Sequence, residues 1–210
     1  MTEKTTNMSP EWVQSLLTAY PCTKLESGNI RTCIARLSFP HLFKPQPPME
    51  AGGKEKFTAT LLFPVGADLS VLKQAAAECA IEKWPNAGKP GGPTLHTPFR
   101  KQDEKVQFSG YEVGGFFIVA SGERKPPVVD AKTLPIVEEK SVYPGMWVMA
   151  TLRAFAFDAK MKKGVSFGLQ SIMKIADDVE LGGGGSDPTK DYAGVVVGGI
   201  SNEVDPSSLF

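Results

Sequence analysis

The stretch MWVMATLRAFAFD, residues 146–158, alternates between two kinds of side chain. Its even-numbered positions, from Val148 to Ala156, are small or aliphatic. Its odd-numbered positions are mostly bulky, aromatic or basic: Trp147, Met149, Thr151, Arg153, Phe155 and Phe157. A period of two predicts a β-strand with two unlike faces, one suited to a core and the other to different contacts.

Four further segments have the composition of strands. Alternation or a short apolar run predicts strands over residues 28–39, 56–63, 115–121 and 165–175. The hairpin turn between the last of these and the strand described above covers residues 159–164. Two stretches rich in Pro and Gly, residues 40–55 and 85–110, are predicted as long loops, and loops of this length are usually functional or mobile.

Helical patterns are fewer. Residues 68–83 predict the principal helix, with Asp68 or Ser70 as its N-cap and an apolar stripe along one side. A shorter helix is predicted directly after Ser9 and Pro10, because proline is favoured in the first turn and apolar residues follow with helical spacing.

Five or six strands around one principal α-helix, with long loops, predict a mainly β protein. The 21 Gly and 17 Pro among 210 residues also favour strands over a helical bundle. An OB-fold-like barrel of five to six strands is the natural candidate. Its helix usually lies between the third and fourth strands, whereas here it follows the second strong strand, unless the strand over residues 28–39 bends into two. A β-sandwich has a similar strand count and stays open as an alternative.

The charges are distributed unevenly along the chain, although they sum to zero. Residues 1–174 contain 22 Lys and Arg against 16 Asp and Glu, and residues 175–210 contain one Lys and seven acids. These acids are Asp177, Asp178, Glu180, Asp187, Asp191, Glu203 and Asp205. A basic body with an acidic end predicts a domain that binds polyanions and carries an internal competitor. The alternative is that the acidic end only keeps the protein soluble.

Residues that carry catalytic or metal chemistry are sparse. The two histidines, His41 and His96, have no ligand-like neighbour three or four residues away. The three cysteines form no Cys-x-x-Cys pair, and no Gly-x-Ser-x-Gly motif occurs. We therefore expect no enzyme activity, no metal and no cofactor. The sequence shows neither an 18-residue apolar run nor a secretory signal, so we expect no membrane segment.

Rings and cations in one chain favour a nucleic-acid-binding function, because single strands are held by stacking on aromatic rings and by a positive groove. The predicted DNA-binding residues are Arg100, Lys101, Arg124, Lys125, Trp147, Arg153, Phe155, Phe157, Lys160, Lys162 and Lys163. Two alternatives remain open for them: the aromatic residues fill the core, and the lysines of the hairpin form an ordinary solvated turn.

Several motifs resemble bacteriophage single-stranded DNA-binding proteins, an OB-fold family formerly described as a domain of unknown function. The motifs lie in residues 142–148, 154–158 and 163–172, with weaker similarity in residues 56–64, the helix after them and residues 126–130. The resemblance covers residues 28–182. It implies an OB-fold that coats single-stranded DNA during phage DNA replication and recombination, in the cytoplasm of the bacterial host cell. A β-rich structural or scaffolding protein of a virion is the alternative.

The sequence divides into three parts: an N-terminal segment (1–27), an OB-fold single-stranded DNA-binding domain (28–181) and a Gly-rich acidic tail (182–210). We expect the tail to be disordered and flexible, with a hinge at residues 182–185. Its ending resembles the acidic tails of phage replication proteins, which implies that Glu203, Asp205 and Phe210 contact replication or recombination proteins. The sequence does not show the oligomeric state, and a homodimer stays open.

Overall fold

The computed structural model describes residues 7–48, 52–159 and 162–182. Within these residues, two α-helices, α1 (Pro10–Ala19) and α2 (Ser70–Lys83), accompany one nine-stranded sheet. In chain order the strands are β1 (Thr23–Lys24), β2 (Ile30–Arg31), β3 (Ala35–Gln46), β4 (Lys56–Phe63), β5 (Arg100–Lys101), β6 (Phe116–Gly122), β7 (Val128–Val129), β8 (Trp147–Ala159) and β9 (Lys162–Ala176). Short 3-10 turns cover Gln102–Lys105 and Glu139–Ser141.

Five of these strands close into a barrel. β3 pairs antiparallel with β4, β4 with β6, and β8 with both β3 and β9. The remaining contact is parallel: Ala120 and Ser121 of β6 pair with Phe167 and Gly168 of β9. The fifth barrel strand therefore lies between the third and the fourth. This arrangement confirms the mainly β, OB-fold-like barrel predicted from the sequence.

The inward-facing side chains of the barrel form one apolar core. Leu61 of β4, Ile118 of β6, Leu152 of β8 and Phe167 of β9 are fully buried in it. Burial of one such side chain stabilises the fold by about 1.5–3 kcal/mol. Because successive residues of a strand point to opposite sides, every second residue of these strands faces outward and is not needed by the core.

The prediction of one continuous strand over residues 28–39 is wrong. β2 and β3 are separate, and both pair with β8. Thr32 lies in the break between them, where its N–H donates to the Ala150 carbonyl (2.8 Å) and its hydroxyl accepts the Ala150 N–H (3.0 Å). A threonine thus bonds β8 with its side chain as well as its backbone, which holds the chain in place across the interruption.

The prediction of a loop over residues 40–55 is wrong in its first half, because β3 continues to Gln46. Its pairing with β4 shifts register between Ser38 and His41 and again between His41 and Gln46. Pro40 and Pro45 each lie within a shifted stretch. A proline has no N–H to donate, so it is tolerated where the ladder is already interrupted by a bulge.

Both predicted helices are present. α1 begins after Ser9, whose hydroxyl accepts the Trp12 N–H (3.2 Å), so the predicted start is confirmed. α2 begins at Ser70 rather than Asp68, and its N-cap is Leu69, so the prediction of Asp68 or Ser70 as the N-cap is wrong. The Asp68 carboxylate accepts the Ser70 N–H (2.9 Å) just before the helix. α2 lies between the second and third barrel strands. Residues 28–39 divide into β2 and β3, but only β3 is one of the five barrel strands, so the helix position differs from the usual one.

The stretch predicted as a loop over residues 85–110 is more regular than its composition indicates. It contains β5 and the 3-10 turn, and His96 forms a parallel bridge with Gly164 of β9. The His96 N–H donates to the Lys163 carbonyl (2.8 Å), and the His96 carbonyl accepts the Val165 N–H (3.2 Å). A Cβ atom at position 164 would lie 2.5 Å from the His96 oxygen, so this close approach requires glycine.

Residues 177–182 follow β9 and form a strap that packs back onto the barrel. Arg36 of β3, almost completely buried, donates to the carbonyls of Gly145 (3.0 Å) and Val179 (2.7 Å). The Asp178 carboxylate accepts the Trp147 indole N–H (2.7 Å) and lies 3.8 Å from the Arg36 guanidinium. Burial lowers the pKa of Arg36, and the Asp178 charge opposes this shift. The ion pair therefore fixes the strap to β3 and β8.

We predict that Asp178→Ala lowers the free energy of unfolding by about 3–5 kcal/mol, because it leaves the buried Arg36 charge without its carboxylate. Asp177→Ala is the matched control. The Asp177 side chain is 67% exposed, and hydrogen bonds from Lys174 and Tyr143 lower its pKa. Its loss should cost about 1 kcal/mol or less. Urea denaturation measures both variants, and equal losses would contradict the assigned role of Asp178.

Candidate nucleic-acid interface

Short side chains cover the outside of three neighbouring barrel strands. Thr58 of β4 pairs with Ser121 of β6, and Ser121 pairs with Gly168 of β9. One step along the same strands, Val119 is 42% exposed, whereas its partner Thr60 is buried, with 6% of its area exposed. Thr58, Ser121, Gly168 and Val119 form what we call the small-residue face. Because none of them is long, they leave a shallow floor that a flat ligand can approach.

Phe155 and Arg153 border this face on the β8 side. Phe155 is 39% exposed, and Arg153 is exposed and pairs with Gly168. A Cβ atom at position 168 would lie 3.8 Å from Phe155 Cδ1. The Gln170 side-chain amide lies 3.4 Å from the same position, so Gly168 lies between this amide and the Phe155 ring. A flat group that displaced the exposed Gln170 side chain would contact the Phe155 ring.

A second group of rings borders the other end of the face. Residues 102–114 form an aromatic loop, in which Phe108 is 44% exposed and Tyr111 is buried. The Phe108 ring contacts Phe39 of β3 edge to face, with the two ring centroids 6.0 Å apart. Tyr111 packs against Phe117 of β6 at 5.7 Å, on the same side of the sheet as Val119. These four rings form the aromatic cluster.

Gln102 holds the aromatic loop against the barrel. Its side chain is 1% exposed, and its amide donates to the carbonyls of Phe63 (2.8 Å) and Phe116 (2.9 Å). Its carbonyl oxygen accepts the Glu112 N–H at 2.8 Å. A Cβ atom on Gly115 would lie 2.6 Å from the Gln102 amide nitrogen, so glycine is needed there. One buried amide thus connects the loop to β4 and β6.

Cations flank the small-residue face at both ends. Arg100 and Lys101 lie on β5, which pairs with the first residues of β6, and the Arg100 guanidinium lies 5.2 Å from the Phe117 ring centroid. Arg124 and Lys125 follow the other end of β6 and are exposed. An open cavity of about 380 Å³ lies at this second end and is lined in part by Lys54. The face thus connects two positively charged regions.

The structure separates the aromatic residues predicted on β8. Phe155 is exposed, Phe157 is half-buried and Trp147 is buried, with 3% of its area exposed. The Trp147 indole contacts Trp12 of α1 edge to face at 5.8 Å and is hydrogen-bonded to Asp178. Placing Trp147 on the binding side is therefore wrong: it belongs to the core, because this end of β8 is covered by α1 and the strap.

The predicted cations of the β8–β9 hairpin are described only in part. Lys162 and Lys163 are exposed at the start of β9, and Lys163 lies 3.4 Å from the Asp158 carboxylate. Lys160 lies outside the described residues, as do the predicted tail residues Glu203, Asp205 and Phe210.

Sequence reasoning missed three residues of the site: Phe39, Phe108 and Lys105. Strict alternation predicts Phe39 on the same side of the strand as Leu37. The bulge after Ser38 turns the Phe39 side chain to the other side, and a bulge leaves no mark in an alternation pattern. Phe108 and Lys105 lie in a stretch predicted as a polar loop. An aromatic residue in a polar loop, beside a lysine, was the signal that could have found them, because such a ring has no strand or helix to bury it.

Within residues 7–48, 52–159 and 162–182, no group of three His, Cys, Asp or Glu side chains could hold a metal ion. Neither α1 nor α2 is long and apolar enough to cross a membrane.

The barrel order and the outward face of its second and third strands define the class of OB-fold proteins, which bind oligonucleotides or oligosaccharides on that side. Within this class, the family model described as Enterobacter phage Enc34, ssDNA-binding protein, matches residues 28–201. The chain belongs to this family. Membership favours a DNA-binding protein over a structural protein of a virion.

Solved structures of this family are similar to the chain. The single-stranded DNA-binding protein from bacteriophage Enc34 in complex with ssDNA is 25% identical, with a TM-score of 0.62 over 76% of this chain and 92% of that chain. A second structure of the single-stranded DNA-binding protein from bacteriophage Enc34 is 26% identical, with a TM-score of 0.60 over 81% of this chain and 93% of that chain.

A third structure shares the fold at lower identity. Protein gp2.5, a single-stranded DNA-binding protein encoded by bacteriophage T7, is 13% identical, with a TM-score of 0.54 over 81% of this chain and 97% of that chain. No curated protein sequence matches the chain.

We predict that Gln102→Leu loosens the aromatic loop, because it removes three hydrogen bonds and leaves buried carbonyls and an N–H without partners. The expected loss in the free energy of unfolding is about 2 kcal/mol or more. Hydrogen exchange at the Glu112 amide should accelerate. Gln107→Leu, at an exposed position of the same loop, is the control and should change neither quantity. Unchanged exchange in the Gln102 variant would refute its anchoring role.

Proposed function

We propose that this protein binds single-stranded DNA along the small-residue face, without sequence preference and without catalysis. The observation that carries the proposal is the combination of a shallow floor on the second and third barrel strands with exposed rings at both of its borders. A base can lie flat on such a floor and stack against a ring. Each stacked base contributes about 1–3 kcal/mol, and every base has a face that can stack.

Phosphate contacts come from the cations around this face. Arg153, Lys125, Arg124, Lys101 and Lys105 form no ion pair with any carboxylate of the described residues. Their charges are thus available to phosphate groups, whereas Arg100 and Lys163 each have a carboxylate partner. Because binding to phosphates releases counterions, the affinity should fall as the salt concentration rises.

The family relationship supports the same ligand. The Enc34 protein, which is similar over 92% of its length, has a structure in complex with ssDNA. We infer that this chain acts likewise on single-stranded DNA in phage DNA replication and recombination, in the cytoplasm of the bacterial host cell. The binding domain spans residues 28–181, and α1 of the N-terminal segment packs on its core through Leu17.

The acidic tail, residues 182–210, is the proposed contact for replication or recombination proteins, through Glu203, Asp205 and Phe210. Leu181 of the strap packs in a cluster with Leu62, Tyr111 and Phe117. The tail therefore begins beside the aromatic cluster, close to the proposed DNA path. The tail contains four acids and one lysine, and residues 1–174 contain six more basic than acidic residues, which supports competition between tail and DNA.

We predict that Phe155→Ala lowers the affinity for an oligo-dT strand about 5- to 100-fold, because one stacking ring is lost. The melting temperature should stay close to that of the unaltered protein, since Phe155 is exposed. Ile81→Ala, at a 56%-exposed position of α2, is the matched control and should leave the affinity unchanged. Fluorescence anisotropy of a labelled strand measures the affinity. Full affinity in the Phe155 variant would place the binding face elsewhere.

A protein truncated after Gly182 tests the tail. It keeps Leu181 and the strap, so its fold should be unchanged. We predict tighter binding of oligo-dT at low salt than for the full chain, and a smaller difference at high salt, because salt screens the attraction between tail and body. Identical affinities at low salt would refute the competition and leave the DNA-binding proposal intact.

A further inference from the structure

Phe39 has an unusual backbone conformation. Its φ angle is +44°, in the left-handed region that bulky residues with a Cβ rarely adopt. It lies in the bulge where Ser38 pairs with Thr60 and His41 pairs with Thr58, so two residues of β3 oppose one residue of β4. Strain of this kind persists where the surrounding structure enforces it, and it concentrates at functional sites.

The bulge turns the Phe39 ring out of the barrel. Leu37, two residues earlier, is fully buried, and regular alternation would bury Phe39 as well. Instead 51% of Phe39 is exposed. Phe39 therefore combines two unfavourable features, a large apolar side chain exposed to solvent and a disfavoured φ angle. Core packing explains neither of them, so the exposed ring needs a different explanation.

Phe108 and Lys105 complete a site around this ring. The planes of Phe39 and Phe108 are nearly perpendicular, at 86°, and both rings keep a large exposed area. The Lys105 ammonium lies 5.9 Å from the centroids of both rings and 5.2 Å from that of Phe117. No carboxylate of the described chain pairs with Lys105. A cation without a carboxylate partner, beside the two exposed rings of Phe39 and Phe108, fits a ligand with both an aromatic plane and a negative charge.

We propose that Phe39 and Phe108 form a separate subsite for one unpaired nucleobase at this end of the small-residue face, with Lys105 contacting the adjoining phosphate. The proposal rests on the proposed DNA-binding function and adds a defined end point to the path. Phe155 stacks a base at the opposite border, so the two subsites hold different nucleotides of one strand. The strained Phe39 backbone keeps its ring in place before the DNA arrives, which limits the ordering that binding requires.

The test uses Phe39→Asn in the full chain. Asparagine tolerates the left-handed region, so this change relieves the strain while removing the ring. We expect the thermal stability to be equal or higher and the affinity for oligo-dT to fall about tenfold. A residue that served only the fold would show the opposite result, with a loss of stability and no specific loss of affinity. Phe108→Ala, in the exposed part of the loop, should weaken binding by a similar factor.

Ile81→Ala, outside the proposed path, is the control and should bind oligo-dT as tightly as the unaltered protein. Phe39→Trp keeps an aromatic plane in the subsite, so it should bind more tightly than Phe39→Asn, and its added emission should be quenched on binding. Lys105→Gln should lower the affinity at low salt and reduce the salt dependence by about one phosphate contact. Full affinity of both Phe39→Asn and Phe108→Ala, with weakened binding by Phe155→Ala, would overturn the subsite and leave the proposed function standing. A full chain that binds no oligo-dT would overturn both.

Discussion

Two parallel residue pairs between β6 and β9 determine how the rest of the barrel is arranged. Ala120 pairs with Phe167 in the core, and Ser121 pairs with Gly168 on the outside. A shift by one residue would exchange these sides, placing a buried phenylalanine in solvent and a serine in the core. The same register that closes the barrel therefore also places Gly168 beside Ser121, and so builds the small-residue face.

The aromatic side chains have three distinct roles, which their local surroundings assign. Trp147 fills the core under α1 and the strap, where its N–H has a carboxylate partner. Phe155 lies outside on the same strand, because it is two positions after the exposed Arg153 and three positions after the buried Leu152. Phe39 is turned outward by a bulge. The composition shows only that aromatic residues are present, whereas the pairing register and the bulge determine which of their rings are exposed to a ligand.

The sequence predicted the barrel class, β4 and α1 well, because their signals are local: alternation, a serine cap and a proline in the first turn. The continuation of β3 through Pro40 and Pro45 could not be predicted, since it depends on bulges in the pairing with β4. The aromatic loop could not be predicted for a similar reason. Gln102 anchors it through hydrogen bonds to the backbone of β6, and these depend on the tertiary fold and not on the local sequence.

We propose that single-stranded DNA lies across the outside of β4, β6 and β9, between the aromatic cluster and Phe155. Photocrosslinking of the full chain to an oligonucleotide containing 4-thiothymidine, followed by mass spectrometry of the crosslinked peptides, would locate the DNA on the surface. We expect crosslinks at Phe39, Phe108 and Phe155 that disappear at high salt. Crosslinks confined to α1 or to the exposed side of α2 would contradict it.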